Sequence, residues 1–342
     1  MVPRSKWQSL PTEAINPSSL GIDKLAADDL VDLMLNEDRK VLAAVQRERE
    51  RIAVGVEMIA AALRKGGRIV FVGAGTSGRL GILESAEMPP TFSTDPMLVQ
   101  AMMAGDRDAI FGTKEGVEDN YEEGARAMTR FNPTKADVVI GVSASGMTQF
   151  VRGALTRARK AGSRIIFVTC DPGTELQTFV DLTIAPAVGA EVIAGSTRLK
   201  AGTATKLVLN ALTTGAMVLI GKTYGNLMVD VQTGSEKLKD RARRIVNIVT
   251  GLDYEEADRL LARAKWNVKA AIVMQKTGLA LAKAQARLRR AHDSMREAIG
   301  EDIEPRLRGM LQGHAEAAMA ADTVPAAAGS KGRRIMPPRA AR

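Results

Sequence analysis

Short runs of β-branched and other apolar residues recur at 68–72, 97–102, 137–142, 164–169 and 181–185, set off by glycine or polar residues. Their length and lack of polar interruption fit strands buried on both faces. Elsewhere the apolar positions repeat every three to four residues, the helical period. Two such patterns cover 26–48, with Leu30, Leu33, Met34, Val41 and Val45 on one face, and 51–65; a third, 207–220, reads as a buried helix. Alternation of strand and helix predicts an α/β fold, a parallel sheet covered on both sides with ligands at the carboxyl ends of its strands. From Ser235 the texture changes to a basic helix over 237–249, then short helices separated by Gly251-Leu252-Asp253 and Lys265-Trp266-Asn267. This predicts a small helical bundle with Trp266 in its core. The expected division is a helical leader (1–50), an α/β domain (51–234), a helical bundle (235–300) and a helical extension ending in a tail (301–342).

Two loops at predicted strand ends carry the chemistry. The first, GAGTSGRLG at 73–81, follows the strand at 68–72. Its glycines permit positive φ and close backbone approach, while Thr76 and Ser77 stand where a helix begins, so hydroxyls, free N–H groups and the positive helix end converge on an anion. Gly73, Gly75 and Gly78 also satisfy G-x-G-x-x-G, but the next strand candidate ends in Ala101-Met102-Met103-Ala104 and lacks the acidic ribose ligand of a dinucleotide site. The second loop, Ser143-Ala144-Ser145-Gly146-Met147-Thr148, again places hydroxyls and a glycine between a strand and a helix. Two such loops in neighbouring units point to one site for a phosphorylated, hydroxyl-rich molecule, a sugar phosphate. A third cluster, GSTRLKAGTATK at 195–206, sets Ser196, Thr197, Arg198, Lys200, Thr203 and Lys206 ahead of the buried helix and reads as further lining.

Composition narrows the alternatives. With 342 residues and 45% apolar content the chain can bury a sizeable core. The stretch 207–220 is too short to span a bilayer, and no apolar export segment is evident near Met1, so no membrane association is expected. One cysteine, Cys170, fits a reducing cytoplasm and is expected to serve packing. Of the formal charge of +9, Lys331, Arg333, Arg334, Arg339 and Arg342 account for five in an acid-free tail, 323–342. Its prolines and alanines read as a disordered solvated tail rather than a nucleic-acid arm.

Two histidines, His292 and His314, and a single cysteine cannot build a metal cluster, and neither histidine lies near the hydroxyl loops to form a catalytic triad. No metal or cofactor is expected, and acid–base chemistry falls to Glu84, Glu87, Glu115, Glu118 and Asp119. Glu87 precedes Met88-Pro89-Pro90, where the helix after the first loop is expected to stop.

The segments GAGTSGRLGILESAEMPPTF (73–92), AGDRDAI (104–110), GVEDN (116–120), GVSASGMT (141–148), GAEVIAGSTRLKAGTATKLVLN (189–210) and YGNLMVDV (224–231) closely resemble the N-acetylmuramic acid 6-phosphate etherases of the sugar isomerase domain superfamily. The resemblance implies a doubly wound parallel sheet with a helical C-terminal region, in a metal-free cytoplasmic homodimer. It also implies cleavage of the D-lactyl ether of a phosphorylated amino sugar, as in cell-wall recycling. The two glutamates of the family's motifs fall on Glu87 and Glu118; the chemistry needs a base and an acid, and Glu118 is expected as the base at C2 and Glu87 as the acid at the leaving oxygen, with the reverse assignment open. Substrate contacts are expected from Gly75, Thr76, Ser77, Gly78, Arg79, Ser143, Ser145, Gly146, Thr148, Ser196, Arg198 and Lys200. Alternatives are a phosphosugar-binding regulator without catalysis and a sugar-phosphate isomerase. The chain departs from the family pattern at Met147, Thr148, Gln149 and Phe150, where Arg-Thr-Pro-Tyr is usual, at Asp106 for glycine and at Ser235 for asparagine. The missing arginine removes a guanidinium from a possible anion contact.

Overall fold

The five apolar runs form one parallel sheet in the computed structural model, which describes residues 10–112 and 114–312. The strands are β1 (Ile69–Gly73), β2 (Val99–Met103), β3 (Val138–Val142), β4 (Arg164–Val168) and β5 (Leu182–Ile184), in the order β2-β1-β3-β4-β5. Residues alternate between the two faces, and both faces are covered. Ile69 and Phe71 of β1, with Val138 and Ile140 of β3, pack under helices α2 (Arg49–Arg64), α3 (Gly75–Phe92) and α7 (Lys200–Leu219). Val70 and Val72, with Val139 of β3 and Phe167 of β4, pack under α5 (Tyr121–Phe131) and α6 (Gln149–Lys160). This double cover explains why the strands read as uninterrupted apolar runs.

The first helix, α1 (Ala27–Arg47), packs on α7 through Val41 and Ala44, while a short turn, α4 (Asp108–Phe111), lies between β2 and α5. Beyond the sheet, α8 (Glu236–Thr250), α9 (Tyr254–Arg263), α10 (Val268–Thr277), α11 (Leu281–Arg290) and α12 (Met295–Ile299) pack on one another. The chain divides at Gly300 into two units, the second of which is helical over 304–312. The basic tail at 323–342 and His314 lie outside the described residues. Among those described, no helix is long and apolar enough to cross a membrane.

Two local expectations need correction. The helix after the first loop does not stop at Glu87: α3 runs through Pro89 and Pro90 to Phe92. Pro89 and Pro90 leave the Ser85 and Ala86 carbonyls without an N–H, but Ser85 is half-buried and Ala86 exposed, so water can serve them, while Met88 and Phe92 hold the last turn in the core. Trp266 is only half-buried, not core. It occupies the turn between α9 and α10 with φ +59°, and Lys239 and Arg243 face its ring at 5.6 and 5.3 Å.

Ser235, the departure from asparagine, caps α8 by accepting a hydrogen bond from the Leu238 N–H at 3.3 Å. Serine and asparagine are comparable caps, which accounts for the exchange. In urea denaturation, Ser235→Ala is expected to cost about 1 kcal/mol and Ser235→Asn only a few tenths.

Candidate active site

Strand order places the site. The chain leaves β1 through α3 on one face of the sheet and leaves β3 through α6 on the other, although β1 and β3 are neighbours. The two connections diverge and open a crevice between them, with Gly73 and Val142 in register at its floor. A cavity of about 310 Å³ lies there, bordered by Gly75, Thr76, Ser77, Arg79, Ser143, Ser145, Thr148 and Glu118 of the expected residues.

The first loop is built for close approach. A side chain on Gly73 would stand 2.6 Å from the Gly78 backbone nitrogen, so only glycine lets β1 turn directly into α3, and Gly75 sits at φ +52°. The residue preceding α3, Ala74, offers no side chain to cap it. Unpaired N–H groups of the first turn therefore face the cavity, with the positive end of the helix dipole behind them. On the opposite wall Ser143, almost fully buried, shares a 2.7 Å hydrogen bond with the Thr148 hydroxyl at the head of α6. Two helix starts and the hydroxyls of Thr76, Ser77, Ser143, Ser145 and Thr148 converge on one space, an arrangement that suits a phosphate.

Glu118 lies on a single 3-10 turn, Val117–Asp119, entered through Gly116 at φ +75°. Arg79 fixes the segment leading to it. Its Nε donates to the Ile110 carbonyl at 2.8 Å, and its Nη2 donates to Ala109 and Gly112 at 2.8 and 2.9 Å. Arg79 thus borders the cavity, but most of its donors are engaged by backbone. Glu13 and Lys114 also line the wall, and neither was singled out by sequence. Glu13 arrives on the turn Pro11–Glu13, held by a hydrogen bond from the Gly195 N–H to the Thr12 carbonyl at 3.1 Å.

Other expected residues lie elsewhere. Gly78, Gly146 and Ser196 are not on the wall; Gly78 gives room to Met103, and Gly146, at φ +73°, abuts Thr174. Arg198 is exposed away from the cavity. Lys200 does not border the cavity and is an enclosed, paired cation. As the first residue of α7 it is 1% exposed, and its Nζ lies 2.7 Å from Glu37 Oε2 of α1. The α7 N-terminus is itself filled by buried Glu191, which accepts from the Lys200 and Ala201 N–H groups at 3.0 and 2.9 Å. Two N–H groups of that helix start are thereby taken by a side chain of the protein itself. Glu84 is likewise structural, buried between Lys206, at 2.9 Å, and the Thr213 hydroxyl. Burial, and then the charge of Glu191, push the Cys170 thiol up to about 12, which keeps it protonated and unreactive. Glu87 is exposed on α3 and does not border this chain's cavity.

The chain is 46% identical over 297 residues to an N-acetylmuramic acid 6-phosphate etherase of Microcystis aeruginosa, covering 86% of this chain and 97% of that protein. It is 49% identical to the one from Trichormus variabilis, over 85% and 94% of the two chains. The chain belongs to the N-acetylmuramic acid 6-phosphate etherase family. The family model for the glucokinase regulatory protein N-terminal SIS domain matches residues 51–159. A solved phosphoheptose isomerase from Francisella tularensis aligns with a TM-score of 0.46 at 17% identity, covering 57% of this chain and all of that one.

Against the etherase pattern, Asp106 occupies a left-handed position, φ +53°, which suits the glycine usual there and which aspartate tolerates better than most residues. Met147 donates its N–H to Ser145 Oγ at 3.4 Å, and its side chain is absent from the cavity wall.

The buried pair makes a testable case for structure over binding. Burial raises the Glu37 pKa, but hydrogen bonds from Lys200, Lys40 and Asn16 outweigh it and lower the value from 4.5 to about 2. A carboxyl whose pKa falls on folding stabilises the fold above its unfolded value and loses that contribution as pH drops towards the folded one. Stability is therefore expected to decline from pH 4.5 to about 2, and Glu37→Gln is expected to flatten that decline. Lys200→Ala, which leaves Glu37 charged and unpaired, is expected to cost roughly 3–5 kcal/mol in denaturant melts. Unchanged stability with a raised KM would instead make Lys200 a ligand.

Proposed function

We propose that this protein cleaves the D-lactyl ether of N-acetylmuramic acid 6-phosphate, giving N-acetylglucosamine 6-phosphate and D-lactate. Membership of the etherase family supports the substrate. The observation that carries the mechanism is a carboxylate, Glu118, on the wall of the same cavity as two hydroxyl-rich helix starts. An unstrained ether resists hydrolysis, but in the ring-opened sugar the C1 aldehyde acidifies the C2 proton. Glu118 removes that proton, and the C3–O bond breaks as an acid protonates the departing lactate oxygen. Water then adds at C3 of the unsaturated aldehyde, and the proton returns to C2. The phosphate, held by Thr76, Ser77, Ser143, Ser145 and Thr148, does not react; its binding energy holds the scarce open-chain form in place.

The acid is Glu87, acting between subunits. Glu87 and Leu83, one helical turn apart on α3, are both exposed, and Leu83 leaves 43% of an apolar residue open to solvent in one chain. The protein is proposed to work as a homodimer in which the partner subunit's Glu87 reaches this cleft. Its setting is the cytoplasm, in the recycling of cell-wall amino sugars.

Incubation with N-acetylmuramic acid 6-phosphate in D2O is expected to release D-lactate and leave deuterium at C2 of the product. Glu118→Gln and Glu87→Gln are each expected to lower kcat by about 100-fold or more. Binding without lactate release would favour a regulator, and a ketose product an isomerase. Mixing the two inactive variants is expected to restore part of the activity through heterodimers with one intact site; no recovery would place both carboxylates within one chain.

A further inference from the structure

A substrate that carries a phosphate at one end and a lactyl carboxylate at the other needs two anion contacts, and the hydroxyl turns provide one. The second requires a cation on the cavity wall. Among the described residues the wall holds two, Arg79 and Lys114, beside three carboxylates, Glu13, Glu115 and Glu118. Arg79 already donates three hydrogen bonds to the carbonyls of residues 109, 110 and 112. Lys200 is sealed against Glu37, Lys206 is bound to Glu84 and Asn210, and Arg198 is off the wall. Lys114 meets Asp108 only through an exposed 3.4 Å ion pair, which is worth little and easily exchanged.

We infer that Lys114 is the specificity-determining cation of this cleft and binds the lactyl carboxylate of the substrate. The assignment rests on the etherase reading above. Position selects the carboxylate over the phosphate: Lys114 lies four residues before Glu118 on the segment pinned by Arg79, so it accompanies the base that acts at C2, next to the ether at C3. The phosphate, on C6, lies at the far end of the sugar, against the starts of α3 and α6. Lys114 also replaces what Met147 lacks. Where the family usually has an arginine after the second loop, this chain has an apolar residue that does not reach the cavity. A charge lost from the second loop is supplied from the segment that leads to Glu118.

The test compares two ligands that differ by the lactyl group. In Lys114→Met, kcat/KM for N-acetylmuramic acid 6-phosphate is expected to fall about 10- to 100-fold, the usual cost of a charged hydrogen bond. The inhibition constant of N-acetylglucosamine 6-phosphate, which has the phosphate but no lactyl carboxylate, is expected to stay within about twofold. Adding Met147→Arg to Lys114→Met is expected to recover most of the loss by returning a cation from the second loop. Equal weakening of both ligands would assign Lys114 to the phosphate, and an unchanged kcat/KM would remove it from the site; either overturns the inference. Failure of the etherase reading is separate, since wild-type protein would then release no lactate. In that event calorimetric binding of the two sugar phosphates to wild type and Lys114→Met decides the contact alone: a loss confined to the lactyl-bearing ligand upholds it, and any other pattern overturns it.

Discussion

The direction reversal between β1 and β3 is the constraint on which the rest depends. Adjacent parallel strands whose outgoing helices lie on opposite faces cannot close the space above their carboxyl ends, so a crevice follows from topology before any side chain is chosen. Everything placed there acquires a purpose from that opening: the glycines that let backbone turn sharply, the hydroxyls at two helix starts and the segment that brings Glu118 to the rim. A third helix start, that of α7, lies nearby but is already occupied by Glu191. Internal capping of one helix and open ends on two others separate scaffold from site.

The scaffold around α7 shows how charge can be buried for placement. Glu37 gathers Lys200, Asn16 and Lys40, and Asn16 also donates to the Ala190 carbonyl at 3.1 Å. One carboxylate thereby ties α1, the N-terminal turns and the loop before α7. That loop and those turns supply Gly195, Thr197 and Glu13 to the cavity wall. Breaking such a pair leaves an uncompensated buried charge, so its geometry is strongly enforced.

Much of this was legible in the residues. The sheet strands announced themselves because double burial removes polar interruptions, and each lies within about two residues of its apolar run. The hydroxyl loops were legible because glycine and serine at a strand end have few other reasons to cluster. Lys200 was misread since a lysine in a polar stretch resembles a ligand, and nothing local reveals a partner 163 residues away. Glu87 keeps its proposed role only with a second subunit, which a single sequence does not display. Glu13 and Lys114 were missed for a similar reason: their places on the wall depend on how distant segments fold over the crevice. Pro89 and Pro90 misled because a strong local rule gave way to the anchoring of Met88 and Phe92 in the core.

The central claim is that a phosphorylated sugar lies in the β1–β3 crevice with its C2 carbon presented to residue 118. A crystal structure of Glu118→Gln with N-acetylmuramic acid 6-phosphate tests it most directly. The phosphate should lie against the first turns of α3 and α6, with the side chain of residue 118 within contact distance of C2. A phosphate bound elsewhere, or a C2 carbon turned away from that side chain, would contradict it.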